Sequence, residues 1–300
     1  MEDRLHDYFV SVLLGIVEGL TEFLPVSSTA HLRLSQSLVG IDLANGFWKM
    51  YAIVIQLGAI LSLPIYFWPR IVNFLRTFPR GERGNRTVMD HPITLVIIAF
   101  VVTAGPSYLL TKRIGANLEN LYVIGASLLL GGIIMWIVDA IYGRQPASGR
   151  YKTEHLEEMS VLQAIWIGIC QIASAVFPGT SRSMSTIAAG QTVGMSRPAA
   201  LEFSFFVSMP TMAAATGYTL FRTLHPKGTT GVTTLGAMPN SGHEWIVLII
   251  GFVISFFVAL AVVAWFMNWV RHRGFVPFAI YRIIIGIAVL AWAMSGKAGG

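Results

Sequence analysis

The chain has 300 residues, 54% of them hydrophobic and only 12% charged, with a mean hydropathy of +0.65. Soluble domains carry about a quarter charged residues, so this composition argues against a soluble enzyme. The net charge of +6 does not point to nucleic acid, because the Lys and Arg residues cluster in short loops between apolar runs, as in any polytopic membrane protein.

Those runs fall at about 8–24, 48–68, 93–111, 121–141, 160–177, 199–221, 245–269 and 277–294. A crossing needs about 20 apolar residues. Six runs are clean enough to cross. The first and fifth are short, and are broken by Pro25 and Pro178. The acidic start, Met1 to Asp7, does not read as a cleaved signal peptide. The lone Cys170 excludes an internal disulfide and reads as packing. Trp48, Trp68 and Trp245 sit near run ends and read as an interface belt. The tail Ser295-Gly-Lys-Ala-Gly-Gly reads as disordered.

The first broken run reads Gly15-Ile-Val-Glu18-Gly-Leu-Thr-Glu22-Phe-Leu-Pro25-Val-Ser27-Ser28-Thr29-Ala-His31. Glu18 and Glu22 are four apart, so a helix presents both on one face. Pro25 ends or kinks that helix. Ser27, Ser28 and Thr29 suit the cap of a new helix, whose free N–H groups favour an anion. His31 would then lie one turn in, on the side of Ser28. A charge at mid-bilayer costs about 2.5–3.5 kcal/mol on insertion scales, so two carboxylates here ask for a reason.

The fifth run continues as Phe177-Pro178-Gly179-Thr180-Ser181-Arg182-Ser183-Met-Ser185-Thr186. Gly179 after Pro178 permits a turn exposing successive N–H groups, a nest for an anion. Thr180, Ser181, Ser183 and Thr186 add hydroxyls, and Arg182 supplies a planar cationic fork suited to phosphate. The two broken runs answer each other at an offset of 153: Gly15 with Gly168, Glu18 with Gln171, Pro25 with Pro178, and Ser28 with Ser181. Each is followed by three full runs. If each broken run returns to its own side, the second copy is inverted, an arrangement by which several carriers build a site. The expected fold is an all-α polytopic membrane protein. It has six transmembrane helices plus two re-entrant helical hairpins as inverted-topology repeats (about 8–141 and 160–294), in one membrane domain. Eleven Lys and Arg fall in the loops 69–91, 142–159, 190–199 and 270–276, against eight on the opposite side. That bias places both termini outside.

The motifs closely resemble those of the undecaprenyl-diphosphate phosphatase family of bacterial inner membranes, the bacitracin-resistance type. Its E/Q-x-x-x-E motif leading into L-P-V-S-S-T-x-H stands here as Glu18 to His31, and its P-G-x-S-R-S-x-x-T motif as Pro178 to Thr186. The stretches Val54-Ile55-Gln56-Leu57-Gly58 and Tyr281-Arg282 extend the resemblance over nearly the whole chain. It implies a divalent-cation-dependent enzyme that removes the terminal phosphate of a polyprenyl diphosphate lipid. The product would be a lipid carrier recycled for peptidoglycan synthesis, with bacitracin resistance as a consequence. It implies a site reached from the periplasm and membrane lipids as surroundings, and it leaves room for a homo-oligomer.

On this reading Glu18 and Glu22 bind a hard cation, Mg²⁺ or Ca²⁺, together with diphosphate oxygens; the bland alternative is a structural ion pair with Arg182. Ser28 is the candidate nucleophile with His31 as its base, although Ser27 and Ser28 as mere caps would also explain serines there, and an activated water is the rival attacking group. Arg182 holds the transferring phosphoryl group. Ser27, Gly179, Thr180, Ser181, Ser183, Thr186 and Glu202 complete the expected substrate contacts. Hydroxyls in membrane helices often only bond the backbone, and Glu202 could equally anchor a loop. Gln56 and Arg282 are read as either bridges or site members, and Asp139, near a run end, as reaching solvent. Pro239-Asn-Ser241-Gly242-His243 imitates a box of another lipid phosphatase class but lacks its partner elements. The chief rival function is a transporter or flippase for a prenyl phosphate lipid; an intramembrane peptidase using Ser28 and His31 would leave the Arg182 loop without a task.

Overall fold

In a computed structural model, residues 2–42, 45–81, 84, 86–110, 120–143, 151–225 and 236–295 are described, the side chains of residues 2 and 3 excepted. Arg83 of the basic loop and residues 296–300 of the tail lie outside them. The described residues form eleven α-helices. In chain order these are α1 (Glu2–Thr21), α2 (Ser28–Leu38), α3 (Gly46–Tyr66), α4 (Trp68–Thr77), α5 (Pro92–Leu109), α6 (Leu121–Tyr142), α7 (Val161–Val176), α8 (Arg182–Thr192), α9 (Arg197–Leu224), α10 (Gly242–His272) and α11 (Val276–Met294). Five are long and apolar enough to cross a membrane: α3, α5, α6, α10 and α11. The sixth expected span, α9, has ample length at 28 residues, but its serines, threonines, Pro210 and Glu202 leave it less apolar than the other five. The stretch from Trp68, expected as basic loop, opens with the short helix α4.

Two compact units partition the chain, and neither coincides with a sequence repeat. The first comprises residues Met1–Phe23, Ser28–Tyr66 and Ser208–Ala264. Its α1 lies close to α10: a Cβ on Gly15 would come within 2.9 Å of the Gly251 carbonyl, and one on Gly19 within 2.8 Å of the Ser255 carbonyl. A buried polar knot ties α1, α3 and α10, with Tyr51 donating to the Ser11 carbonyl (2.8 Å) and Ser11 Oγ to the Val247 carbonyl (2.6 Å). Leu14, Leu32, Ile55 and Leu248 pack around it.

The second unit comprises Leu24–Ser27, Phe67–Val207 and Trp265–Gly300. Here α7 lies on α5, where a Cβ on Gly168 would meet the Ala99 carbonyl at 2.7 Å. Thr103 Oγ1 bonds the Gly168 and Ala99 carbonyls across that contact. Helices α6 and α11 pair through Gly125, Gly132 and Gly286, each set directly against the partner helix; small residues let membrane helices approach this closely. Asp139 does not reach solvent. It is 1% exposed, and it accepts from Arg197 Nε (2.7 Å) and Nη2 (3.0 Å), Gln191 Nε2 (3.0 Å) and the Phe275 N–H (3.0 Å). A carboxylate near a span end is satisfied here by partners brought from α8, α9 and the start of α11.

Candidate active site

Helix α1 ends at Thr21, yet the Glu22 N–H still bonds the Glu18 carbonyl at 2.9 Å. The helical path therefore persists long enough to keep both carboxylates on one face. Glu18 is fully buried and Glu22 nearly so. Ser28, the first residue of α2, donates from Oγ to Glu22 Oε2 at 2.5 Å. Gln56 of α3 brings Nε2 to 3.5 Å from the same oxygen. Glu22, Ser28 and Gln56 are thus gathered in the first unit. His31 follows Ser28 by one turn of α2, but the hydrogen bond described for Ser28 goes to Glu22.

The second broken run is ordered by its turn. Gly179 has φ +97°, and a Cβ there would lie 2.5 Å from the Ile124 carbonyl, so only glycine fits. Ser181 precedes α8 with φ +69° and ψ 123°, and its Oγ accepts from the Met184 N–H at 3.3 Å as a helix cap. Ser27, directly before α2, has φ +75°. The two hairpins therefore match Ser27 with Ser181 and Ser28 with Arg182, one residue out of step with the sequence correspondence. Arg182 opens α8, half-buried, at the end where free N–H groups and the helix dipole favour an anion.

The hydroxyls of Ser183 and Thr186 are bonded within the protein. Ser183 Oγ donates to the Leu24 carbonyl at 3.1 Å. Thr186 Oγ1 lies 2.7 Å from Ser204 Oγ and also within reach of the Arg182 carbonyl. Both side chains are nearly fully buried. They tie elements together, as helix hydroxyls commonly do. Glu202 is likewise taken: Arg70 donates to it from Nε at 2.9 Å while gripping Glu157 with both terminal nitrogens. On α9, two residues from Ser204, it points to the other side of the helix, and through Arg70 it is joined to Glu157. A cavity of about 260 Å³ beside Arg70, lined also by Arg86, His91, His155 and Glu157, contains none of the expected site residues. The His243 box caps α10 instead: Ser241 Oγ accepts from the Glu244 N–H, and His243 is bound to Asp7 and Tyr8.

Arg282 carries a role that sequence reasoning left undecided. It has no exposure at all and no carboxylate among its described hydrogen-bond partners. Nη1 donates to the Pro25 carbonyl (3.1 Å), and Nη2 to those of Gly179 (2.9 Å), Thr180 (2.9 Å) and Ser127 (3.2 Å). The signal was an arginine inside an apolar run, which demands a partner; no pattern could say that the partners were backbone carbonyls.

A family model described as bacitracin resistance protein BacA matches residues 11–288. The chain belongs to this family. Among curated members, the chain is 61% identical over 290 residues to an undecaprenyl-diphosphatase of Koribacter versatilis, covering 97% of this chain and 99% of that protein. It is 40% identical to one of Rhizobium etli, covering 97% and 98% of the two chains. It is 38% identical to one of Caldanaerobacter subterraneus, covering 93% of each. These matches run the length of the family's members, so both broken hairpins and all intervening helices fall within the shared region.

Proposed function

We propose that the chain hydrolyses undecaprenyl diphosphate to undecaprenyl phosphate and inorganic phosphate, returning the lipid carrier to peptidoglycan synthesis and supporting bacitracin resistance. The observation that carries this is the match over 97% of the chain, at 61% identity, to a protein bearing the name of that activity. The chemistry rests on the Ser28–Glu22 hydrogen bond. A base must lie within hydrogen-bond reach of the proton it takes, and Glu22 does. In the proposed sequence Ser28 Oγ attacks the terminal phosphorus and its proton passes to Glu22. The bond to the bridging oxygen breaks and undecaprenyl phosphate leaves. Water then cleaves the phosphoserine, releasing phosphate and restoring Ser28. Arg182 offsets the charge on the transferring group, while His31, one turn into α2, orients the water of the second step.

The cofactor we propose is a divalent cation held by Glu18 and Glu22. The donor set suits a hard ion, since the two carboxylates are one helical turn apart and the Gln56 amide and the Ser28 hydroxyl lie on Glu22. Among the described residues no group of three or more His, Cys, Asp or Glu side chains converges, so diphosphate oxygens and water would complete the shell, as is usual for Mg²⁺. When bound, the ion would neutralise diphosphate charge.

The architecture proposed for this chemistry is six spans and two re-entrant hairpins in inverted repeats, in the inner membrane, with the site and both termini on the periplasmic side. The exchange of hairpins supports it. Gly15 of α1 packs on α10, and its repeat counterpart Gly168 of α7 packs on α5, the element corresponding to α10. The element order also repeats, a broken pair followed by three long helices.

The test is phosphate release from undecaprenyl diphosphate by purified protein in detergent. Glu22→Gln and Arg182→Ala should each lower turnover by about 10³-fold or more, in the range seen when a base or a charge-stabilising group is removed, while remaining monodisperse. Chelation should stop the parent, and Mg²⁺ should restore it. Near-normal turnover in both variants, or none in the parent, rejects the proposal; the second result is what a carrier would give.

A further inference from the structure

We infer that Arg282 is a positioning residue that sets the phosphate-binding turn and ties it to the tip of the acidic hairpin. This rests on the proposed phosphatase reading. The guanidinium lies between two segments far apart in sequence, the Pro25 turn and the Gly179–Thr180 turn, and donates to carbonyls of both. It remains charged at any physiological pH, and a buried charge needs this degree of satisfaction to be tolerated.

The consequence follows from peptide planarity. In a trans peptide the carbonyl and the following N–H point in opposite directions. Holding the Thr180 carbonyl therefore directs the Ser181 N–H away from Arg282, at the entry to α8 beside Arg182. Holding the Gly179 carbonyl fixes the preceding plane, whose Thr180 N–H is bonded to the Phe177 carbonyl at 3.1 Å. The turn is thus oriented by a cation on its rear, and its positive φ values at Gly179 and Ser181 are sustained by that grip. Ser183 Oγ on the Leu24 carbonyl makes a second tie between the same two tips. The first repeat has no counterpart of this arginine, since Leu129 stands at the corresponding place. One side chain serves both hairpins.

Two variants disturb the grip differently. Arg282→Lys keeps the charge but has a single nitrogen, which cannot span carbonyls on both tips. Gly131→Ala retains Arg282 but places a Cβ where Nη2 lies, and alanine suits a helix better than glycine. The readouts are kcat and KM for phosphate release, the inhibition constant of orthovanadate as a phosphoryl-transfer mimic, and the melting temperature in detergent. Misplacing reacting groups by about 1 Å can cost about 10²-fold. Both variants should therefore lose about that factor in kcat, with KM changed less than threefold and vanadate binding weakened in parallel. An unchanged kcat and vanadate constant per folded molecule, in either variant, overturns the inference. So does a loss confined to the amount of folded protein. The proposed function fails separately, through an inactive parent or active Glu22→Gln and Arg182→Ala variants.

Discussion

Ser27 and Ser181 hold backbone conformations that side chains rarely adopt, each immediately before a short helix. Such strain costs about 1–3 kcal/mol per residue and gathers where function requires a fixed geometry. At Ser181 the side chain also caps α8, and losing a serine cap to alanine costs about 1 kcal/mol, whereas losing it to glycine costs a few tenths. Ser181→Gly should consequently raise the melting temperature by a few degrees, and Ser181→Ala should lower it; scanning calorimetry of the two detergent-solubilised variants checks the sign. At this scale the sequence was legible in part. Residues that must be acidic, hydroxylic or cationic inside an apolar run were visible as such. What Ser183, Thr186, Glu202, Asp139 and Arg282 bond was not, because their partners lie on other elements, often a hundred residues away or in the backbone.

Among the elements, the close crossings of α1 on α10 and of α7 on α5 depend on glycine. A methyl at Gly168 would press into the Ala99 carbonyl, which belongs to a helix and cannot move aside. Overpacking of this kind costs about 1–3 kcal/mol, against a gain of about 1 kcal/mol in helix propensity. Gly168→Ala should thus lower the melting temperature, while Gly105→Ala on α5, with nothing nearby, should leave it unchanged or raise it. Parallel thermal melts decide. The broken hairpins were readable because proline interrupts a helix for a local reason. The helix α4 was not, since ten residues beginning Trp68-Pro-Arg lack the length and apolar content by which a span is recognised.

Across the whole molecule, the proposed topology puts both termini on one side and the loop around Lys152 on the other. In a Cys170→Ser background, cysteines at Leu5 and Ser295 should react with a membrane-impermeant maleimide in intact spheroplasts, and one at Lys152 only after lysis. Labelling of Lys152→Cys in intact cells would contradict the inverted arrangement. The partition into two compact units that each draw helices from both repeats was beyond the sequence, since apolar periodicity identifies a span but not its neighbour.

Helix α9 bears on how such a chain enters a bilayer. From Ala199 to Ser208 nearly every side chain is covered by protein, Ser204 and Ser208 included, and Glu202 lies in the same stretch. An acidic residue within an apolar span opposes insertion, and Glu202, near the start of α9, is covered by its ion pair with Arg70. If α9 crosses the bilayer as proposed, inserting it together with the helices that cover this segment would spare that cost, and biogenesis of the protein would become a matter of timing as well as hydropathy.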